Sequence, residues 1–177
     1  MLPILAHERV ILDHLATHNR LVLTAPTGSG KTTQIPQILH RELEARIAVL
    51  QPRRLATRLV AQRVALEMDA KLGGVVGSQT RHDSKTSTGT RIRFLTEGLF
   101  LRLLQSDPDL SSFDIVVLDE FHERSLEADV TLGLMRRLQE TSRPDLKLIV
   151  MSATLDSEQL ASYLQCPTIA AHGRLYP

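Results

Sequence analysis

The chain has little of what secretion, membrane insertion or base stacking would require. Cys166 is the only cysteine in 177 residues, which excludes an internal disulfide and suits a reducing compartment. Aromatic residues make up 3%, and none lies among Arg53, Arg54, Arg58 and Arg63, which excludes a single-strand stacking platform there. No apolar run approaches the length of a membrane span, and Met1 to Arg9 holds no basic segment followed by a long apolar one. The expectation is a soluble, cytoplasmic protein. Net charge is +1, so bulk charge points to no nucleic-acid partner, and any such reading must rest on local basic clusters. What is present is globular composition, 42% apolar and 23% charged, in a length that makes one domain over residues 1–177.

The most informative stretch is Ala25-Pro26-Thr27-Gly28-Ser29-Gly30-Lys31-Thr32. The apolar run Leu21-Val22-Leu23 precedes it as a strand, and Thr33 to Leu43 follows with helical spacing. A strand, a glycine loop and a helix start gather backbone N–H groups around one point, where the helix dipole favours a polyphosphate. Gly28 and Gly30 permit the tight backbone, Lys31 supplies charge to β- and γ-phosphates, and the Thr32 hydroxyl is suited to Mg²⁺. Ala25 stands where the strict pattern has glycine.

The rest of the chain alternates. Residues 7–18 place Val10, Ile11, Leu12 and Leu15 on a helical face before a strand at about 20–24. Further strands are expected at 46–50, 75–80, 92–95, 115–118 and 146–151. Helices are expected at 55–68, 98–104, 130–138 and 157–164, with residues 82–90 a polar loop. In the first of these, Leu55, Leu59, Val60, Val64 and Leu66 form the apolar set against Arg54, Arg58, Gln62 and Arg63. Such alternation implies an α/β fold, a mostly parallel sheet covered on both faces. Ligands of such sheets bind beyond the carboxyl ends of the strands, so the segments after each strand should converge.

Those segments carry chemistry. Asp119-Glu120 closes an apolar strand, where Asp119 is a second anchor for Mg²⁺ and Glu120 can orient and deprotonate an attacking water. Ser152-Ala153-Thr154 reads either as a strand-to-helix cap or as a hydroxyl link to a moving partner lobe, and spacing alone favours the cap. The arginines at 53–63 read either as a solvated helix face or as contacts to a nucleic-acid backbone.

In order, Ala25–Thr32, Gln51-Pro52-Arg53-Arg54-Leu55-Ala56, Thr96-Glu97-Gly98, Asp119-Glu120-Phe121-His122-Glu123-Arg124 and Ser152-Ala153-Thr154 resemble the successive motifs of the first lobe of DEAH-box helicases. Phe121, where most members have alanine, and the short lead before the glycine loop resemble the bacterial branch typified by HrpB. The resemblance implies a RecA-like P-loop domain of three α/β/α layers, binding ATP with Mg²⁺ and acting on RNA. It implies that Ala25 to Thr32 hold the phosphates, that Thr32, Asp119 and Glu120 serve the metal, and that Lys31, Asp119, Glu120 and His122 form the catalytic group. Within that group His122 would couple nucleotide state to a second lobe, and the Ser152, Ala153 and Thr154 segment would link hydrolysis to unwinding. Arg53, Arg54, Thr96, Glu97 and Gly98 would meet the RNA backbone, and Arg63 would lie near the adenine.

No Gln-x-x-Gly-Arg-x-Gly-Arg run, the second-lobe source of arginine fingers in that family, occurs in the chain. The expectation is therefore a lobe that binds nucleotide, hydrolyses it poorly and does not unwind duplexes alone. A non-catalytic nucleotide-dependent binding or scaffold module is the alternative. A P-loop switch or small-molecule kinase fares worse, because no guanine-selective Asn-Lys-x-Asp occurs and Asp119–His122 goes unexplained.

Overall fold

In the computed structural model, which describes residues 2–153 and 157–171, the apolar runs pair side by side as one sheet. After a 3-10 turn at Pro3–His7 come α1 (Glu8–His18), β1 (Arg20–Thr24), α2 (Lys31–Leu43), β2 (Ile47–Gln51) and α3 (Arg54–Glu67). Then follow β3 (Val76–Gln79), β4 (Ser84–Lys85), β5 (Ile92–Thr96), α4 (Glu97–Ser106) and β6 (Ile115–Leu118). The chain continues through α5 (Leu126–Glu140), β7 (Lys147–Ser152), α6 (Ser157–Leu164) and β8 (Thr168–Ala170). Across the sheet the order is β4-β3-β5-β2-β6-β7-β1-β8, parallel throughout except for the β3–β4 pair.

Alternate strand residues face opposite sides. Leu21, Leu23, Val49, Val117 and Ile149 join a core completed by Ile11 of α1, Ile35 of α2 and Ala61 of α3. Val22, Leu50, Val116, Leu148 and Val150 join the opposite core with Phe100 of α4, Met135 of α5 and Leu164 of α6. Burial on both faces is why these strands read as continuous apolar runs.

The structure corrects the expected face of α3. Leu55, Leu59 and Leu66 are 71%, 53% and 78% exposed, whereas Thr57, Ala61, Val64 and Ala65 are buried. Small side chains there let the helix lie close on β3 and β5, and larger leucines would hold it off. Val10 likewise faces outward from α1 while Ile11 and Leu15 are buried. The 82–90 loop contains the short strand β4, and β8 adds an edge strand that the sequence pattern did not suggest. Helix α5 begins at Leu126, four residues before the expected Val130, because Ser125 caps it by accepting the Ala128 N–H at 2.9 Å.

Candidate nucleotide site

Sheet register brings the motif segments to one edge. Thr24 pairs with Ser152, Gln51 with Thr96 and Leu50 with Leu118, so the residues that follow emerge together. The glycine loop starts tethered, with the Ala25 N–H donating to the Ser152 carbonyl at 3.1 Å. Gly28 and Gly30 have φ of 81° and 87°, a region costly for other residues. A Cβ at Gly30 would also lie 2.8 Å from Leu2 Cδ1. Pro26 and Thr27 are exposed, while Ser29 and Lys31 are only 2% and 3% exposed. The Ser29 hydroxyl has no hydrogen-bond partner among the described residues.

Asp119, 1% exposed, faces this loop. Its Oδ2 accepts the Gln51 side-chain amide at 2.6 Å and its Oδ1 accepts the Glu120 N–H at 2.9 Å. Burial, and then the neighbouring Glu120 charge, push its carboxyl up to about 6 against hydrogen bonds from Gln51 and Thr32 and the Lys31 charge. Glu120 itself adopts φ 53°, a left-handed conformation that non-glycine residues keep mainly where surrounding structure imposes it. Its Oε1 lies 3.4 Å from Lys31 Nζ, and its Oε2 lies 3.2 Å from His122 Nε2. The Ala153 N–H donates to His122 Nδ1 at 3.2 Å, which leaves Nε2 to carry the imidazole proton toward Glu120.

These residues fit a magnesium-bound triphosphate. A buried hydroxyl with no partner among the described residues, a buried ammonium, the N–H groups of a helix start, and a buried carboxylate beside a threonine hydroxyl are the donor set such a group needs.

Around this centre the remaining residues separate. Ser152 and Ala153 sit beside the loop and His122, and Thr154 lies outside the described residues. Arg53 pairs with Glu123 at 3.1 Å, Arg58 with Asp83 at 4.0 Å and Arg63 with Glu67 at 2.6 Å, so acidic partners divide the basic cluster. Arg54 is exposed at the start of α3. Thr96 precedes α4, and a Cβ added at Gly98 would meet nothing within 4 Å outside its own helix. Glu97 is turned inward, 5% exposed, and its carboxylate accepts the Ser125 hydroxyl. Sequence reasoning placed Gln51 and Glu123 within the quoted motifs but gave neither a role, whereas here Gln51 orients Asp119 and Glu123 holds Arg53. A polar residue closing the apolar run 47–50 was the available signal for the role of Gln51, whereas nothing local shows that Glu123 meets Arg53.

A cavity of about 440 Å³ opens behind the site, lined by Phe121, His122, Arg124, Ser152 and residues of α5 and α6. A larger one of about 570 Å³ lies at the opposite, amino ends of the strands, between His40, Arg46, Arg91 and Asp114, away from the glycine loop.

The parallel order, the helices on both faces and the glycine loop after β1 define a RecA-like α/β domain. The DEAD/DEAH box helicase family pattern matches residues 6–162, and the chain belongs to that family. It is 44% identical over 179 residues to the ATP-dependent RNA helicase HrpB of Escherichia coli, covering 99% of this chain and 22% of that protein. It is 41% identical to the probable ATP-dependent RNA helicase DHR2 of Saccharomyces cerevisiae, covering 99% and 25%. The crystal structure of the E. coli DEAH/RHA helicase HrpB superposes with a TM-score of 0.95 at 42% identity, over 100% of this chain and 23% of that one. The chain thus spans about a quarter or less of the length of these relatives. No helix among the described residues is long and apolar enough to cross a membrane.

Proposed function

We propose that the chain is the ATP-binding lobe of a cytoplasmic RNA helicase of the DEAH type and works with a second lobe. The observation that carries this reading is the convergence of buried Lys31, the partnerless Ser29 hydroxyl and the Asp119–Glu120 pair at one sheet edge. In it, Ala25 to Thr32 wrap the phosphates of ATP, and Thr32 and Asp119, with Glu120 nearby, hold Mg²⁺ directly or through water. The metal supplies charge neutralisation at the phosphates when bound. Glu120 orients the attacking water and takes its proton. His122, bound to Ala153 on one side and Glu120 on the other, ties the state of that carboxylate to the Ser152–Thr154 segment. Arg53, Arg54, Thr96 and Gly98 meet the RNA backbone, whereas Glu97 faces inward, and Arg63 meets the adenine.

Without a trans-acting arginine such a site loses about 10³-fold or more in turnover. The chain alone is therefore expected to bind Mg-ATP, hydrolyse it slowly and leave duplexes intact. The test is Mg-ATP binding and turnover, with and without single-stranded RNA, beside Lys31→Ala and Glu120→Gln. Binding lost only in Lys31→Ala, with slow turnover, supports the reading. Equal binding by wild type and Lys31→Ala, or none by either, overturns it. A nucleotide-dependent binding module without catalysis is the second reading. Turnover that stays absent when the second lobe of a relative is supplied would select it.

A further inference from the structure

Glu67 is the only carboxylate of α3, and three side chains converge on it. Arg63 Nε donates to its Oε1 at 2.6 Å, and its Oε2 accepts the amides of Gln34 at 2.9 Å and Gln37 at 2.8 Å. Both glutamines lie on α2, the helix that the glycine loop opens, and the Gln34 N–H donates to the Gly30 carbonyl at 2.8 Å. Burial pushes the Glu67 carboxyl up, but Arg63, Gln37 and Gln34 together hold it below the usual range.

An exposed Arg–Glu pair one helical turn apart ordinarily orders neither side chain. Here the carboxylate is anchored from a second helix, and its side chain is 22% exposed against 67% for Arg63. The anchored member therefore sets the direction of the free one. We propose that Glu67 is a positioning residue for the nucleotide. Pinned by Gln34 and Gln37, it holds the Arg63 guanidinium on the α2 side of α3, with its plane ready for the adenine. This rests on the reading of the chain as a Mg-ATP lobe with Arg63 at the base.

A guanidinium is planar and stacks on aromatic faces, but an arginine loses much rotamer freedom when it does so. Ordering it before the nucleotide arrives removes that cost from binding. The phosphates are held elsewhere, by Lys31 and the loop. Loss of Glu67 should then weaken ligands that carry a base and spare ligands that do not.

The experiment measures dissociation constants of this chain for Mg-ATP and for Mg-tripolyphosphate by calorimetry. Wild type is compared with Glu67→Ala, Arg63→Ala and the double variant. Glu67→Ala is expected to weaken ATP roughly three- to tenfold, to keep tripolyphosphate within about twofold, and to add nothing in the Arg63→Ala background. Equal loss for both ligands or loss that persists without Arg63 describes a residue that merely supports α2, and no loss at all describes one without a role; each overturns the proposal. Should Glu67→Ala fail to fold, Gln34→Ala/Gln37→Ala keeps the carboxylate and removes its anchors. An ATP-selective loss then supports the proposal, and an equal loss or none overturns it. Lys31→Ala is the separate control: if it retains tripolyphosphate, the phosphate cradle itself is misread.

Discussion

The ammonium of Lys31 lies 3.4 Å from the carboxylate of Glu120, with the lysine side chain 4% exposed. A buried ammonium needs a negative partner, and here the expected water-activating carboxylate provides it. On the proposed reading of the loop, a nucleotide's phosphates and Glu120 would compete for one cation.

Glu120→Gln follows from that competition. The substitution removes a negative charge from the path of the phosphates and leaves Lys31 for them. Mg-ATP affinity should hold or rise, while turnover falls by about 10²-fold or more with the loss of the base. Binding titrations beside single-turnover hydrolysis check both halves, and a parallel loss of affinity and turnover would contradict the assignment.

Glu97 supplies a pH signature. Burial is the main cause that raises its carboxyl, reinforced by Glu127, Glu123 and Asp129, while the Ser125 hydroxyl opposes the rise. A raised folded-state value means the native chain holds the proton longer than the unfolded chain. Stability is then lost as pH rises from the ordinary glutamate range through the raised value. Glu97→Gln keeps an acceptor for Ser125 and removes the charge. It should raise the melting temperature at pH 8 and change it little at pH 4, as paired thermal melts would show.

The corrected face of α3 separates two kinds of leucine and alanine. Leu66→Ser, at a position 78% exposed, should change unfolding free energy by less than about 0.5 kcal/mol. Ala61→Leu, at a position with no exposure, should cost about 1–3 kcal/mol through overpacking against the sheet. Urea denaturation of the two variants decides which face is packed.

Cys166 should be a slow thiol. Burial pushes it up to about 11 from 9.0, against the pull of Arg20 and the Val22 N–H. At pH 8 its thiolate fraction is then about a hundredfold below that of an ordinary cysteine, and iodoacetamide should label it correspondingly slowly until the chain is unfolded.

Much of this was legible along the chain. Runs such as Ile115–Leu118 are buried on both faces, so apolar content located the central strands, and parallel strands placed the glycine loop, Asp119–Glu120 and Ser152 at one edge. Strand order, edge strand β8 and the packed face of α3 were not legible. The leucines of α3 satisfy helical spacing as well as its alanines do, and only the closeness of the sheet selects between them.

The sequence by itself determined the alternating α/β architecture and the family, because each rests on residue type at short, ordered spacing. The tertiary structure decided what depends on distant residues meeting. Gln51 lies 68 positions from Asp119, and Glu123 lies 70 from Arg53. Gln34 and Gln37 reach Glu67 across separations of 33 and 30, and the Ala153 N–H reaches His122 across 31. Contacts of that kind are set by sheet register and helix packing, which no local spacing encodes.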